Sequence, residues 1–403
     1  MTDKSIERSG NNNKDHKQEL SNVPELRFPG FKGEWISFKL SEVADVRDGT
    51  HDSPKYIEKG FPLITSKNLL QNGNINFDNV NYISEKDYMK INKRSEVSNG
   101  DILFGMIGTI GNPVLVKSNK KFAIKNVALI KEEKNLKNSY LIHYLNSNKI
   151  SKQFYKYHAG GTQKFIALGL IRNLIINTPN INEQKKIADF LSAIDKKIKL
   201  MEKKYHHYNH FKKYLLQNFF NDNYSCNGFK KLFGESELIK LGELANIQTG
   251  NKDLKDKKED GKYPFFVRSE KIERIDSYSF DGEAILIPGD GKIGEIYHYI
   301  NGKFDYHQRV YKISNFENVM GKYLYYYLEE NFLREAKRNT AKATVDSLRL
   351  STITNMKIKL PDITVQNKIV DILSLTDKKI YSLQKGITLN KEFKRSLLSK
   401  MFC

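Results

Sequence analysis

The chain has 403 residues, with 67 Lys and Arg against 47 Asp and Glu, which gives a formal net charge of +20 at pH 7. This length allows two or three domains with cores of their own, and the positive charge favours a polyanionic partner such as nucleic acid. No run of 18 apolar residues is present, which argues against a membrane-spanning helix. The cysteines, Cys226 and Cys403, are too few for a disulfide framework or a cysteine zinc site. These features predict a cytoplasmic protein that has no membrane partner.

The first 178 residues are predicted to form a polar tail followed by a globular domain. Residues 1–23 lack the apolar core of a signal peptide and predict a disordered tail. Residues 24–178 contain short β-type runs at 62–65, 101–104, 114–116 and 127–130, which Gly and Asn turns separate, and a helical pattern at 139–145. We therefore predict that 24–178 forms a mixed domain of strands and helices.

Two long helices are predicted, at 179–222 and 361–403, because the same pattern occurs twice. The segment that begins at Thr178 aligns without a gap with the segment that begins at Leu360, at a constant offset of 182. Asn182 and Thr364 follow the prolines that open the two copies and are predicted N-caps. Apolar residues recur at alternating intervals of four and three along both copies, which is the period of a coiled coil. The alternative is two unrelated helices on separate domains, but both apolar stripes are narrow and the helices are otherwise polar.

Residues 229–360 are predicted to form a second globular domain that repeats the first. The segment KLSEVA at Lys39 matches KLGELA at Lys240, and Gly108 matches Gly291. The offset falls from 201 at the first match to 183 at the second, so the first domain carries about 18 extra residues between them. This pattern predicts one scaffold that presents two different surfaces.

The candidate motifs for catalysis in this sequence are incomplete. Residues 289–294 fit G-x-G-x-x-G, but residues 295–300 then predict a strand, whereas a dinucleotide site needs a helix there. His206 and His210 share a helix face, yet no carboxylate or cysteine nearby completes a metal site. A methyltransferase signature, a Walker loop and a nuclease cluster are also missing, so the sequence predicts a non-catalytic binding protein.

Polar loops at matching positions of the two domains are the candidate DNA-binding sites, because Arg, Lys, Asn and Gln read base edges while Lys, Ser and Thr contact phosphates. In the first domain the candidates are Thr50, His51, Ser53, Lys55, Tyr56, Ser66, Lys67, Asn68, Gly160, Gly161, Thr162, Gln163 and Lys164. In the second they are Asn251, Lys252, Arg268, Ser269, Lys292, His307, Gln308, Arg309, Arg338, Lys342 and Thr344.

These motifs resemble the specificity subunit of type I restriction–modification systems over nearly the whole chain after the polar tail. The resemblance is carried by NVPELRFPGF, GTHDSPKY, the helix starts INEQKKIADFLSAIDKKI and ITVQNKIVDILSLTDKKI, and the closing SLLSKMF. It implies an α+β fold with two target recognition domains in a pseudo-two-fold tandem repeat, joined by two long antiparallel helices. Each domain would read one half of a bipartite site in double-stranded DNA.

The resemblance also implies partners and cofactors. The helices would hold two adenine-methyltransferase subunits, which in turn would support restriction subunits. S-adenosylmethionine, ATP and Mg²⁺ would be used by those partners only, and this chain would need no cofactor. The candidate partner-binding residues on the helices are Ile187, Leu191, Ile194, Ile198, Leu215, Ile369, Leu373, Ile380, Leu383 and Leu397.

Helix length agrees with a spacing function. The stretch from Ile187 to Phe219 rises roughly 50 Å at 1.5 Å per residue, which corresponds to roughly 15 base pairs of DNA. One alternative is a basic coiled-coil adaptor for RNA or DNA without a restriction–modification partner. Another is a fragment of a fused restriction–methylation enzyme, but no catalytic motif precedes the second helix.

Overall fold

A computed structural model describes residues 22–133, 135–158, 165–221, 236–338 and 347–403. The chain forms two compact units: unit 1 comprises Met1–Lys199 with Thr388–Cys403, and unit 2 comprises Leu200–Ile387. Each unit therefore contains the beginning of one long helix and the end of the other.

Unit 1 is a mixed domain of strands and helices. Its strands are β1 (Ile36–Lys39), β2 (Asp45–Asp48), β3 (Phe61–Ile64), β4 (Asn81–Ile83), β5 (Ile102–Gly105), β6 (Gly111–Leu115), β7 (Ala123–Ile124), β8 (Val127–Lys131) and β9 (Ile175–Thr178). Its shorter helices are α1 (Leu40–Val43), α2 (Glu85–Ser95), α3 (Asn138–Leu145), α4 (Asn148–His158) and α5 (Leu168–Arg172). The β-type runs and the helix predicted from the sequence are confirmed.

The sheets of unit 1 enclose its core. The strand orders are β2-β8-β5-β6, β4-β3-β7 and β1-β9. All four residues of β5 are buried, as are the first four of β8. Such continuous apolar runs indicate strands covered on both faces, whereas strict alternation would indicate one solvated face.

Unit 2 has a similar order of elements, but helix α2 of unit 1 has no counterpart between the equivalent strands of unit 2. Its strands are β10 (Glu237–Lys240), β11 (Asn246–Thr249), β12 (Tyr263–Phe266), β13 (Glu273–Ile275), β14 (Phe280–Pro288), β15 (His298–Tyr306), β16 (Val310–Ser314) and β17 (Lys357–Leu360). Its shorter helices are α7 (Leu241–Leu244), α8 (Gly321–Arg338) and α9 (Leu350–Thr354). The strand predicted after the glycine-rich turn begins at His298, three residues later than the sequence indicated.

One strand distinguishes the sheets of the two units. In unit 2, β15 is continuous and belongs to a six-stranded sheet of order β11-β16-β14-β15-β12-β13. In unit 1 the corresponding stretch is divided into β6, which pairs with β5, and β7, which pairs with β3. The interruption includes the lysine-rich segment 117–121, and unit 1 therefore has two separate sheets where unit 2 has one.

The long helices are α6 (Ile181–Phe220) and α10 (Ile363–Lys400). Their predicted N-caps, Asn182 and Thr364, were wrong by two residues. Asn180 Oδ1 accepts hydrogen bonds from the backbone N–H groups of Asn182 and Glu183, at 3.1 and 3.0 Å. At the other helix Asp362 Oδ1 accepts from the N–H of Thr364 at 2.8 Å. The residue directly after each proline therefore caps its helix.

A buried glutamine fixes each long helix to its own unit. Gln184 and Gln366 are each 1% exposed, and each donates to the carbonyl of the proline five residues earlier at 3.0 Å. The amide oxygen of Gln184 accepts from Lys137 N–H at 3.0 Å, and that of Gln366 accepts from Met320 N–H at 2.9 Å. This explains physically why glutamine occurs at the same place in both copies.

Lys212 and Lys394 interrupt the two apolar stripes of the long helices, and they form matching ion pairs. In unit 1, Lys394 Nζ lies 2.5 Å from Asp195 Oδ1. In unit 2, Lys212 Nζ lies 3.0 Å from Asp377 Oδ1 and 2.9 Å from Glu329 Oε1. Lys212 and Lys394 are 182 residues apart, as are Asp195 and Asp377. In unit 2 the Met201 side chain also approaches Gly386, so α6 and α10 run antiparallel there.

The end of each long helix completes the core of the unit it enters. Phe220, at the end of α6, packs edge-on against Tyr323 and Tyr327 in unit 2. Phe402, just after α10, makes the equivalent contacts with Tyr140 and Tyr144 in unit 1. Phe402 is 1% exposed, so the last residues of the chain are part of the core of unit 1.

Candidate nucleic-acid interface

Three strand ends meet in unit 2 and bring together loops that are far apart in the sequence. After β15, the His307 N–H donates to the carbonyl of Phe266, the last residue of β12, at 2.9 Å. The next N–H, that of Gln308, donates to the Lys252 carbonyl at 2.8 Å, and the Gln308 side chain donates to Asp253 at 3.0 Å. The predicted pairs Asn251–Lys252 and His307–Gln308 therefore belong to one surface.

Asp290, in the turn after β14, holds two arginines of this surface. Arg268 Nη1 lies 3.2 Å from both carboxylate oxygens, and Arg309 Nη1 lies 3.2 Å from Oδ2. The Asp290 side chain is 15% exposed, while the arginine side chains are 49% and 63% exposed. We call these three residues the arginine cluster; Arg268 and Asp290 line an open cleft of about 290 Å³ that His307 also lines.

Unit 1 has the same arrangement of loops. We call the shared backbone contacts the loop frame; they are made by Lys125 and Asn126 in unit 1 and by His307 and Gln308 in unit 2. The N–H groups of Lys125 and Asn126 donate to the carbonyls of Ile64 and Thr50, at 2.9 and 3.1 Å, as their counterparts do in unit 2. A glycine precedes the contact in both units, and a Cβ on Gly49 would lie 2.2 Å from the Ile124 carbonyl oxygen. On Gly250 it would lie 2.1 Å from the Tyr306 carbonyl oxygen. Both glycines are therefore needed for the backbones to approach this closely.

The side chains on the unit 1 frame are different. Asp48 accepts from His51 Nε2 at 2.7 Å and from Arg94, while Asn126 Oδ1 lies 2.9 Å from His51 Nδ1. The Asp48 carboxylate and the Asn126 oxygen raise the pKa of His51 above its ordinary value, against partial burial. His51 and Arg94 line a cleft of about 470 Å³ together with Thr50 and Ser53. Lys125 Nζ contacts the Ser53 hydroxyl.

Three of the predicted DNA-binding side chains, those of Ser66, Asn68 and His307, are buried, and their assignment to DNA stays a prediction. The Ser66 hydroxyl donates to the Asn126 carbonyl and accepts from the N–H groups of Met106 and Ile107. Asn68 is bonded to Thr65 and to the carbonyls of Asn76 and Asn79. His307 Nδ1 accepts from the Arg309 N–H at 2.9 Å, and burial lowers the pKa of its ring. Ser66 and Asn68 thus use their polar atoms to shape the loops, and His307 uses Nδ1 in the same way.

The other described candidates lie at the surface. Thr50 and Lys252 are half-buried, and the exposed ones are His51, Ser53, Lys55, Tyr56, Lys67, Asn251, Arg268, Ser269, Lys292, Gln308, Arg309 and Arg338. Arg338 lies at the end of α8 and pairs with Glu335. Gly160, Gly161, Thr162, Gln163, Lys164, Lys342 and Thr344 lie outside the described residues, so their assignment stays a prediction. Sequence reasoning missed Asp48, Arg94, Asn126 and Asp290, although Asp290 stands in the glycine-rich turn that had been examined for a cofactor.

The predicted partner-binding residues are occupied by the chain's own packing. Ile187, Leu191, Ile194, Ile198 and Leu397 are buried in the core of unit 1. Leu215, Ile369 and Leu373 are buried in the core of unit 2, Leu383 is 7% exposed, and Ile380 is half-buried. Apart from the half-buried Ile380, these apolar side chains are buried within the chain, and their assignment to a partner stays a prediction.

The exposed apolar residues of the long helices are a different set. In unit 1 they are Ile181, Phe190, Leu389 and Phe393, and in unit 2 they are Leu200, Phe211, Tyr214, Ile363, Ile372, Leu375 and Tyr381. Phe211 and Phe393 are equivalent at the offset of 182, and so are Phe190 and Ile372. We call the first of these pairs, Phe211 and Phe393, the helix aromatic sites.

Within the described parts of the chain, no group of three or more His, Cys, Asp and Glu side chains is arranged to hold a metal ion. His206, His207 and His210 are exposed on α6. A search of the same parts of the chain finds no helix that is both long and apolar enough to cross a membrane.

The architecture is that of a tandem-repeat recognition protein, in which one loop frame occurs twice with different side chains on two units that share long helices. The family model described as type I restriction modification DNA specificity domain matches residues 32–207 and again residues 234–391, and the chain belongs to this family. It is thus a type I restriction–modification specificity subunit with two recognition domains, a non-catalytic component of such systems.

Similar proteins agree with this membership. The chain is 33% identical over 143 residues to the type I restriction enzyme EcoDI specificity subunit of Escherichia coli; the match covers 36% of this chain and about a third, 31%, of that protein. The crystal structure of a type I restriction-modification system S subunit from M. genitalium has the same fold, with a TM-score of 0.67 at 17% identity, over 94% of this chain and 99% of that one. A structure described as the basis of complex assembly and conformational transition of the type I R-M system matches with a TM-score of 0.53 at 17% identity, over 90% and 96%.

Proposed function

We propose that each recognition domain reads one half of a bipartite site in double-stranded DNA. The observation that carries the proposal is the repeated loop frame: Lys125–Asn126 and His307–Gln308 make the same backbone contacts, yet the side chains around them differ. A scaffold that keeps its backbone and changes its donors presents two different patterns to base edges. The half-sites of such a protein differ in sequence.

The charge of the chain supports a nucleic-acid partner. The net charge of +20 supplies attraction to phosphates that does not depend on sequence. Exposed cations adjoin the loop frame in both domains, with Arg94 and Lys67 in unit 1 and Lys292 in unit 2. These side chains provide phosphate contacts around the groups that read bases.

We further propose that the long helices set the distance between half-sites and hold two adenine-methyltransferase subunits. The helix aromatic sites support this docking function, because Phe211 is 46% exposed and its equivalent Phe393 is 51% exposed. Exposed aromatic side chains are typical anchors of protein interfaces. Since the two sites are equivalent and one lies on each long helix, they fit two copies of one partner. Restriction subunits would bind through those methyltransferases, which would also carry S-adenosylmethionine; ATP and Mg²⁺ would serve the partner subunits.

The test is to express the full chain with the methyltransferase encoded beside it and to sequence the methylated adenines of the host genome. We expect one bipartite motif with two unlike halves and a fixed spacer. Replacing residues 36–178 with the matching segment of a relative should change one half only. If no motif appears from a folded complex, or if both halves change, the proposed function is wrong.

The docking proposal needs its own experiment. Phe211→Ser and Phe393→Ser should weaken binding of the methyltransferase, because each removes an exposed ring from one of two equivalent sites. His206→Ser is the matched control on an exposed face of α6 without an apolar ring. Equal affinity of all variants for the methyltransferase would exclude the helix aromatic sites as the docking surface.

A further inference from the structure

The arginine cluster of unit 2 is organised by its surroundings. The Arg309 N–H donates to His307 Nδ1, and its carbonyl accepts from Gly289 N–H at 2.8 Å, so both sides of this residue are fixed. Gly289 directly precedes Asp290, whose carboxylate contacts Nη1 of both arginines. The two guanidinium groups are therefore held by one carboxylate beside the cleft that Arg268 lines, while about half or more of each side chain remains exposed.

We propose that Arg268 and Arg309, positioned by Asp290, read a guanine in the half-site of the second recognition domain. This inference rests on the proposed function. An arginine has five N–H donors, and each of these arginines directs Nη1 to the carboxylate, so donors remain on its other nitrogens. Guanine presents two neighbouring acceptors, O6 and N7, in the major groove, and a guanidinium binds them bidentately.

The carboxylate favours a base over a phosphate as the ligand. A phosphate would bring a second negative charge next to Asp290, and like charges at such separations repel. A guanine edge is uncharged and needs donors in a fixed plane. Holding two arginines in place before DNA arrives also reduces the conformational entropy lost on binding.

Unit 1 lacks every member of the arginine cluster. Ser66 takes the place of Arg268, and its buried hydroxyl ties the strand ends together. Ile107 takes the place of Asp290. Met106 directly precedes Ile107 and Gly289 directly precedes Asp290, and the carbonyls of these two preceding residues accept equivalent hydrogen bonds at 2.7 Å. Arg309 has no equivalent in unit 1. The difference in residue number between equivalent positions of the two units rises from 182 at Gln308 to 183 at Val310, so Arg309 is an inserted residue. The first domain therefore cannot read the same base in this manner.

The test uses the complete chain in complex with its methyltransferase. Arg268→Lys and Arg309→Lys keep the charge but lose the planar fork, and Lys262→Gln is the control that loses an exposed charge at the start of β12, the end away from Phe266. We expect each arginine variant to lose discrimination at one G·C position of the second half-site by about 5- to 150-fold, with the first half-site unchanged. Lys262→Gln should leave discrimination at every position unchanged.

A chemical change in the DNA gives a second readout that does not depend on folding of a variant. Replacing each guanine of the site in turn by 7-deazaguanine removes the N7 acceptor. The wild-type complex should lose affinity at one guanine of the second half-site, and the arginine variants should show no further loss there. Uniform weakening over all sequences, or no guanine sensitive to the change, would overturn the proposal. A wild-type complex without any bipartite motif would instead refute the proposed function.

Discussion

His143 predicts a loss of stability in acid that is confined to unit 1. Its side chain is buried, its Nε2 lies 3.1 Å from the Ser192 hydroxyl, and burial together with the charges of Lys394 and Lys117 lowers its pKa from 6.5 to about 3. The nearest carboxylate oxygen, Asp195 Oδ2, is 3.9 Å from Nδ1, and Asp195 already pairs with Lys394. The ring is therefore neutral in the folded chain at every pH above about 3.

The sign and size of the effect follow from linkage. An unfolded histidine takes up a proton near pH 6.5, whereas the folded one does not until about pH 3. The unfolded state thus binds more protons as the pH falls, and stability that is present above pH 6.5 is lost below it. Between pH 7.5 and pH 5.0 the loss from this one group is about 2 kcal/mol at 25 °C.

The assay uses the single tryptophan of the chain. Trp35 is 2% exposed in the core of unit 1, so its fluorescence during urea unfolding reports this unit. His143→Tyr is a suitable variant, because Tyr326 stands at the equivalent place in unit 2 and bonds Asp377. The pH dependence of wild type should exceed that of the variant by about 2 kcal/mol. Equal pH dependence of the two proteins would refute the reasoning, since all other groups titrate alike in both.

Further outcomes follow from the helices and the charge. Lys212→Met should cost about 2 kcal/mol, between the values for exposed and buried ion pairs, because it leaves Glu329 and Asp377 without their cation. Lys213→Met, on the exposed face, should cost less than about 0.5 kcal/mol; both are measured by urea unfolding followed by circular dichroism, because Trp35 reports unit 1. Inserting seven residues after Leu200 and seven after Ile387 should keep the half-sites and lengthen the spacer by about three base pairs; an unchanged spacer in an active variant would exclude the helices as the ruler. Binding of duplex DNA by the complex should fall at least about tenfold between 50 and 200 mM salt, and an affinity independent of salt would contradict a phosphate-binding surface.

The sequence predicted the elements well where periodicity and repetition carry the information. The two copies of the long helix, the strands at 62–65 and 127–130 and the helix at 139–145 all follow from apolar patterns. Lys212 and Lys394 interrupt the two apolar stripes at matching positions, and a polar residue in such a stripe commonly fixes one register of pairing. Their partners, Asp195 and Asp377, lie on the other helix, and sequence separation alone does not reveal such a contact.

The candidate site was predicted less well, because loop composition does not show which way a side chain points. Ser66 and Asn68 have the chemistry of DNA-binding residues, but their polar atoms join neighbouring loops, and His307 uses Nδ1 to accept from the Arg309 N–H. Asp290 has the opposite chemistry and was not considered, although it holds two of the predicted arginines. An acidic residue among cations indicates a group that positions them. The residue equivalent to Asp290 in the first domain is Ile107, which indicates that the two domains differ at this position.

The aromatic contacts of Phe402 also determine the order in which the protein can fold during synthesis. Trp35, Tyr140 and Tyr144 leave the ribosome long before Phe402 packs between them. The roughly two hundred residues from the end of unit 1's first segment to Thr388 take about 10–40 s to synthesise. During this interval the nascent unit 1 has an open aromatic pocket, whereas unit 2, which is one continuous segment, needs nothing made later. Unit 2 can thus finish folding first, and a ribosome that stops before residue 388 releases a chain in which only the second recognition domain is complete.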